Sequence, residues 1–194
     1  MTAAKPADLS YLILTGGRSS RLGSDKAATA INGVTMLDRL VGALPGQPTI
    51  IGPEIQGGPA AAIAAGLDAV ATTWVAVVAV DMPFAGRIIE YLATMTSGAR
   101  ADGFVPVDAA GKEQWLCGVY RTAALRGAVA GFGPIVGAPL HKVMSGVDLQ
   151  RVQVPDELIA LLIDVDTPVD LERAHLMAQE LMAKELMAKE EEMD

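Results

Sequence analysis

The chain has 194 residues, and its 15 Lys+Arg against 23 Asp+Glu leave a formal charge of −8, a balance opposed to nucleic-acid binding, which draws its affinity from basic side chains that displace counterions at phosphates. With 51% hydrophobic residues the composition excludes a wholly disordered chain, and a single cysteine, Cys117, excludes an intrachain disulfide. No charged-then-apolar leader with a small-residue cleavage site opens the sequence, and the apolar run 75–80 falls far short of the roughly 20 residues of a membrane helix, so a soluble domain in a reducing, cytoplasmic setting is expected. Residues 1–10 hold Lys5, Pro6 and Asp8 without periodicity and are expected to form a flexible leader. Residues 11–14 are apolar at successive positions, the pattern of a strand buried on both faces in a parallel sheet. That strand stops at Gly16-Gly17.

Between Leu14 and Ala27 the chain reads Leu-Thr-Gly-Gly-Arg-Ser-Ser-Arg-Leu-Gly-Ser-Asp-Lys-Ala. Paired glycines directly after a buried strand let backbone N–H groups turn toward an anion, and Arg18, Arg21 and Lys26 place three cations within nine residues of an acidic protein. The spacing matches neither the phosphate loop G-x-x-x-x-G-K-[ST] nor the dinucleotide fingerprint G-x-G-x-x-G. An anion site is expected here; the alternative is a glycine turn with solvated basic residues.

Residues 36, 37, 40, 41 and 44 are apolar at helical spacing, and a short strand at 49–51 ends at Gly52-Pro53. Gly57-Gly58-Pro59 opens an alanine-rich helix to about residue 70, with proline in the first turn, where its missing N–H costs least. Residues 74–80 form a buried strand that ends at Asp81-Met82-Pro83. A lone carboxylate after an apolar run is costly to bury unpaired and calls for a cation. Magnesium suits it, because that ion takes one or two carboxylates together with phosphate oxygens and water. The other reading of Asp81 is an N-cap for the helix that follows Pro83.

A helix around 88–95, strands near 104–107 and 115–120, a helix after Arg121 and a glycine-rich loop at 131–137 come next. The strand–helix alternation of the first half predicts a mostly parallel sheet with helices on both faces. Such a sheet binds ligands beyond its carboxyl ends, here at loops 16–26 and 81–83. His141 and Lys142 are placed either to meet an anionic second substrate or to form a solvated surface pair. Cys117, with no nucleophile-type or metal-spaced partners, reads as a core residue, and His175 as inert.

Asp164-Val-Asp166-Thr-Pro168-Val-Asp170 is an acidic stretch in which alternation sends Asp164 and Asp166 to one side, where both can approach one ion. Alternatively, Asp166 or Thr167 caps a helix that begins near Pro168. Residues 180–184 and 185–189 repeat Glu-Leu-Met-Ala-Lys, with Glu ahead of Lys at i,i+4, the favourable order on a helix. A five-residue period advances about 140° per repeat, so no continuous coiled-coil seam forms. Leu171, Ala174, Ala178 and Leu181 share a face, so docking to about 181 and a projecting end are expected.

The first block, followed by Gly58-Pro59-Ala-Ala, Val80-Asp81-Met82-Pro83 and Asp164-Val-Asp-Thr-Pro168, resembles the molybdenum cofactor guanylyltransferase family over residues 11–175. The Gly-Gly pair at 16–17, where cytidylyltransferase relatives more often carry Ala-Gly, favours the guanylyl branch. The resemblance implies a Rossmann-like, three-layer α/β nucleotidyltransferase fold of the glycosyltransferase-A type with a mostly parallel sheet, occupying 11–175, and a helical tail at 176–194. It implies Mg2+-dependent transfer of GMP from GTP to molybdopterin with release of pyrophosphate. By the same resemblance Leu14, Thr15, Gly16, Gly17 and Arg18 line the nucleotide, Gly58-Pro59 borders the guanine, Arg21 and Lys26 hold the triphosphate, and Asp81 holds magnesium. Asp164 or Asp166 stands near the site at a position where the family often has asparagine. Beyond GTP and molybdopterin as substrates, weak self-association or molybdoenzyme-maturation partners are the partners that stay open; neither nucleic acid nor membrane is expected. Two other functions stay open: a nucleotidyltransferase acting with CTP or on a sugar phosphate, and a GTP-binding subunit without turnover.

Overall fold

The computed structural model of the chain describes residues 8–16 and 26–191. Its first strand, β1 (Leu9–Leu14), begins two residues before the expected one, so Leu9 and Ser10 belong to the sheet rather than to a leader. Two short strands follow, β2 (Ala30–Ile31) and β3 (Val34–Thr35), paired antiparallel across Asn32-Gly33, both at positive φ, 50° and 82°. Asn-Gly is the favoured pair for so tight a hairpin, a signal present in the sequence but absent from the expected elements. Helix α1 (Met36–Ala43) starts on Thr35, whose hydroxyl accepts from the Asp38 N–H at 3.0 Å. Strand β4 (Thr49–Ile51), helix α2 (Gly58–Leu67) and strand β5 (Trp74–Ala79) lie where the periodicity puts them.

Helix α3 (Gly86–Ala93) packs its first residue on the end of α1: a Cβ on Gly86 would come within 2.5 Å of the Ala43 Cβ. Strands β6 (Gly103–Pro106) and β7 (Cys117–Arg121) form a hairpin, with β7 starting two residues later than expected. Helices α4 (Thr122–Phe132) and α5 (Leu140–Val143) precede β8 (Leu149–Val152), a half-exposed edge strand missing from the expected elements because Leu-Gln-Arg-Val carries little apolar signal. After the single turn α6 (Asp156–Ile159), the long helix α7 (Pro168–Glu191) runs without a break through 175–176. Among the described residues no helix is long and apolar enough to cross a membrane.

The sheet order is β4-β1-β5-β7-β6-β8, and only β7 runs against the other five. Strict alternation along the strands divides the interior into two cores. Tyr11, Ile13, Ala76 and Val78 face α1, α3 and α7, whereas Leu12, Leu14, Val75 and Val77 face α2 and α4. The result is three layers, helices on both sides of the sheet. Because β7 is antiparallel, the loop leading into it reaches the same edge as the carboxyl ends of β1 and β5, and the Ala79 N–H donates to the Leu116 carbonyl at 2.8 Å there.

Candidate active site

Beyond the carboxyl ends of β1 and β5, Lys26 and Asp81 meet. The Lys26 Nζ donates to Asp81 Oδ2 at 2.7 Å and also to Asp166 Oδ1. The lysine side chain is 11% exposed, against 26% for Asp81 and 46% for Asp166, so the ammonium is the most enclosed of the three and the carboxylates keep an open side. Burial opposes the charge on Lys26, but hydrogen bonds and attraction from Asp166 and Asp81 outweigh it and hold the lysine above its ordinary pKa. Local backbone bonds set the lysine: the Ala27 carbonyl accepts from the Leu37 N–H, and the Thr29 carbonyl from the Met36 N–H, fastening this segment to the start of α1.

Asp81 does not cap the next helix. Met82–Ala85 first make tight turns, and α3 begins at Gly86 without a side-chain cap, which leaves the carboxylate to the lysine. The Asp81 carbonyl accepts from the Val165 N–H at 2.8 Å, and Val165 is fully buried, so Asp164 and Asp166 are pinned beside Asp81. The cap of α7 is Thr167: its hydroxyl accepts from the Asp170 N–H, while Asp170 accepts from the Thr167 N–H and hydroxyl. Asp166 is therefore released from capping. Burial first, then repulsion from Asp81 and Asp166, raises the Asp164 pKa, with Lys112 and Lys26 partly offsetting them. Although Asp164 retains an open solvent face, its carboxyl lies in a crowded acidic corner.

Among the described residues no group of three His, Cys, Asp or Glu side chains is placed to hold a metal ion by itself. The donor set nevertheless fits a hard divalent ion that completes its shell with phosphate and water: carboxylates only, with neither thiol nor imidazole. Crowding of three carboxylates is itself a demand for positive charge, which Lys26 meets in part.

The residues expected to line a nucleotide lie at the end of β1 and at the start of α2. Leu14 is buried and its carbonyl accepts from the Val80 N–H at 3.0 Å, so β1 ends against the residue before Asp81. Thr15 is tied to the Ile51 carbonyl through its N–H at 2.9 Å and its hydroxyl at 3.1 Å. Gly16 is exposed, beside Gly52 and Pro53. Gly58 and Pro59 are exposed at the start of α2, where the Gly57 carbonyl accepts from Gly137 at 2.8 Å. Gly17, Arg18 and Arg21 lie outside the described residues.

A cleft of about 260 Å³ is lined by the carboxylates of Asp81, Glu113, Asp164 and Asp166, by Lys112, Gln114 and Trp115, and by apolar residues that include Met82, Leu116 and Leu140. The expected second-substrate pair divides around it. The His141 ring lies 6.3 Å from the Trp115 ring, whereas Lys142 lines a separate groove with Asp102 and Phe132. Sequence reasoning missed Lys112, Gln114 and Trp115. A signal existed: Asp108-Ala-Ala-Gly111 is a turn sequence, and the Asp108 carboxylate accepts from the N–H groups of Ala110 and Lys112 and from the Gln114 amide. Cys117 is fully buried, as expected, and burial drives its thiol pKa far up. His175, given no chemical role in the sequence, has a structural one: its Nδ1 lies 3.1 Å from the Asn32 backbone nitrogen and its carbonyl accepts from the Asn32 side-chain amide at 2.8 Å, fastening the β2–β3 hairpin to α7.

A family model described as the MobA-like NTP transferase domain matches residues 11–53 and 44–134. The chain belongs to this nucleotidyltransferase family. It is 31% identical over 197 residues to a protein of Mycobacterium avium named "probable molybdenum cofactor guanylyltransferase", covering 87% of this chain and 95% of that one. A Mycobacterium bovis protein of the same name is 34% identical over 139 residues, 59% of this chain and 68% of its own. Among solved structures, the molybdopterin-guanine dinucleotide biosynthesis protein A of Archaeoglobus fulgidus superposes with a TM-score of 0.71 at 20% identity, covering 88% of this chain and 99% of that one. The 2-C-methyl-D-erythritol 4-phosphate cytidylyltransferase of Thermus thermophilus superposes with a TM-score of 0.63 at 20% identity, over 89% and 99%. At those identities the structural likeness establishes the nucleotidyltransferase fold.

Proposed function

We propose that this nucleotidyltransferase transfers GMP from GTP to the terminal phosphate of molybdopterin and releases pyrophosphate. The names of the curated relatives supply the base and the acceptor. The observation that carries the reading is the meeting of Lys26 with Asp81 and Asp166 beyond the carboxyl ends of β1 and β5. A phosphate oxygen of the acceptor attacks the α-phosphorus, a new P–O bond forms, and the bond to the β-phosphate bridge breaks, its electron pair leaving with pyrophosphate. The nucleophile is already an anion, so no side chain need remove a proton. The protein's work is alignment and charge neutralisation.

In this reading the backbone at Leu14, Thr15, Gly16 and Gly17, with Arg18, cradles the nucleotide, and Gly58-Pro59 borders the base. Arg21 and Lys26 take the triphosphate charge. Asp81, with Asp164 or Asp166, holds Mg2+, which when bound supplies Lewis-acid neutralisation at the reacting phosphate. The test is pyrophosphate release from GTP, Mg2+ and molybdopterin by the purified full chain, repeated with CTP and UTP. GTP-dependent release that Asp81→Ala lowers by at least about 100-fold is the expected result. Preference for CTP would assign another nucleotidyl specificity, and GTP binding without release would assign a carrier role.

A further inference from the structure

The order of the strands separates two substrates. Gly16 follows β1, Asp81 follows β5, and Trp115 leads into β7; since β5 lies between β1 and β7, Gly16 and Trp115 stand on opposite flanks of Asp81. On the guanylyltransferase reading the nucleotide takes the β1 flank, which leaves the β7 flank to the acceptor.

That flank is built around one fixed ring. The Trp115 Nε1–H donates to Glu113 Oε2 at 2.6 Å, and the other oxygen of Glu113 is paired with Arg151 of β8. The Trp115 carbonyl accepts from the Tyr120 hydroxyl, the Gln114 N–H donates to the Pro106 carbonyl at 2.9 Å, and the Gln114 amide is held by Asp108. His141 props the indole with its ring tilted 30°. The ring is half-buried and lines the cleft. A side chain whose rotamer is already set loses little entropy when a ligand stacks on it. The cleft's 260 Å³ is near the lower end for small-molecule pockets, about 300 Å³, and suits a fused ring system better than a whole nucleotide. Lys112 lines the same cleft and adds positive charge to an acidic corner that must admit a phosphate-bearing acceptor.

We propose that Trp115 is the platform on which the flat pyrimidinone ring of the acceptor's pterin stacks, and that Glu113 and Arg151 are positioning residues that hold the indole in place. The proposal rests on the guanylyltransferase reading, and its test separates the two. With GTP held constant and molybdopterin varied, Trp115→Ala raises the acceptor KM on the order of tenfold or more, as loss of a stacking contact does. The KM for GTP stays unchanged, and Trp115→Phe recovers most of the loss. Arg151→Ala raises the acceptor KM by a smaller factor that Arg151→Lys reverses. Turnover by Trp115→Ala with an unchanged acceptor KM, or with equal rises for both substrates, overturns the proposal and leaves the reaction standing.

Absence of turnover in the unaltered protein overturns the reaction instead, and intrinsic fluorescence then decides the platform. The chain has two tryptophans. Trp74 is buried at the other end of β5 with Arg121 4.5 Å from its ring centroid, so saturable quenching by a free pterin reports Trp115. Saturable quenching supports the platform; its absence at millimolar pterin overturns it.

Discussion

At the scale of single residues, the site is a balance of like charges against two lysines, Lys26 and Lys112. Asp81, Asp164 and Asp166 crowd one corner, and Asp164 carries the cost in a raised pKa. A carboxyl whose folded pKa lies above its unfolded value binds its proton more tightly when folded, so stability falls as pH rises from about 3.8 through the folded value. Asp164→Asn removes that loss and is expected to raise the melting temperature of the ligand-free protein at pH 7, with the gain vanishing near pH 3; a lower melting temperature at neutral pH would contradict the repulsion. Asp108 has the opposite sign. The Lys112 N–H first, with the Gln114 amide and Ala110 N–H, holds its pKa down and outweighs burial, which pushes it up. Its contribution is present above the unfolded value near 3.8 and is lost as pH falls through the lower folded one. Removing these hydrogen bonds with Asp108→Ala is expected to cost on the order of 1 kcal/mol and to shift the emission of Trp115, measured by denaturant melts and fluorescence. Lys26 and Asp81 were legible in the sequence because each is chemically out of place: a cation in an acidic chain, a carboxylate closing an apolar strand. Lys112 and Trp115 were not, because nothing in residues 112–116 says which strand they will lie beside.

At the scale of elements, a cap decides what Asp166 does. The sequence offers Asp166 and Thr167 as rival caps for α7; the helix uses Thr167 with Asp170, and Asp166 turns to Lys26. Thr167→Val is expected to destabilise by about 1 kcal/mol and, by loosening the 164–166 segment, to weaken nucleotide binding, whereas Asp156→Ala in the separate turn α6 leaves binding unchanged. Equal nucleotide affinity in Thr167→Val and the parent, read by calorimetry, would show that the cap does not set Asp166. The β2–β3 hairpin illustrates a different limit. Asn32-Gly33 announced a turn, but two-residue strands bury too little to register as periodicity; the hairpin is held partly by Asn32 on His175, separated by 143 residues, and no local pattern encodes such a contact. Strand β8 escaped for a related reason, since its edge position needs few apolar residues.

At the scale of the whole molecule, the long buried strands made the parallel sheet readable, while the single reversed strand β7 was not, and that reversal delivers the Trp115 loop to the edge where β1 and β5 end. The end of α7 contributes little to this arrangement. Ala174 and Ala178 are buried and Leu181 packs on the core, but residues 182–191 are exposed throughout. Truncation after Leu181 is expected to leave the melting temperature within about 1 °C and pyrophosphate release unchanged, because exposed helix without tertiary packing adds little stability; a larger loss would mean the projecting helix has a partner in solution. On the proposed reaction, Lys26 and the carboxylate of Asp81 serve one triphosphate–metal site. A crystal of the full chain soaked with GTP and Mn2+ tests it most directly. An anomalous peak on Asp81, with triphosphate oxygens within hydrogen-bonding reach of Lys26, is the expected result; a triphosphate bound away from both residues would contradict it.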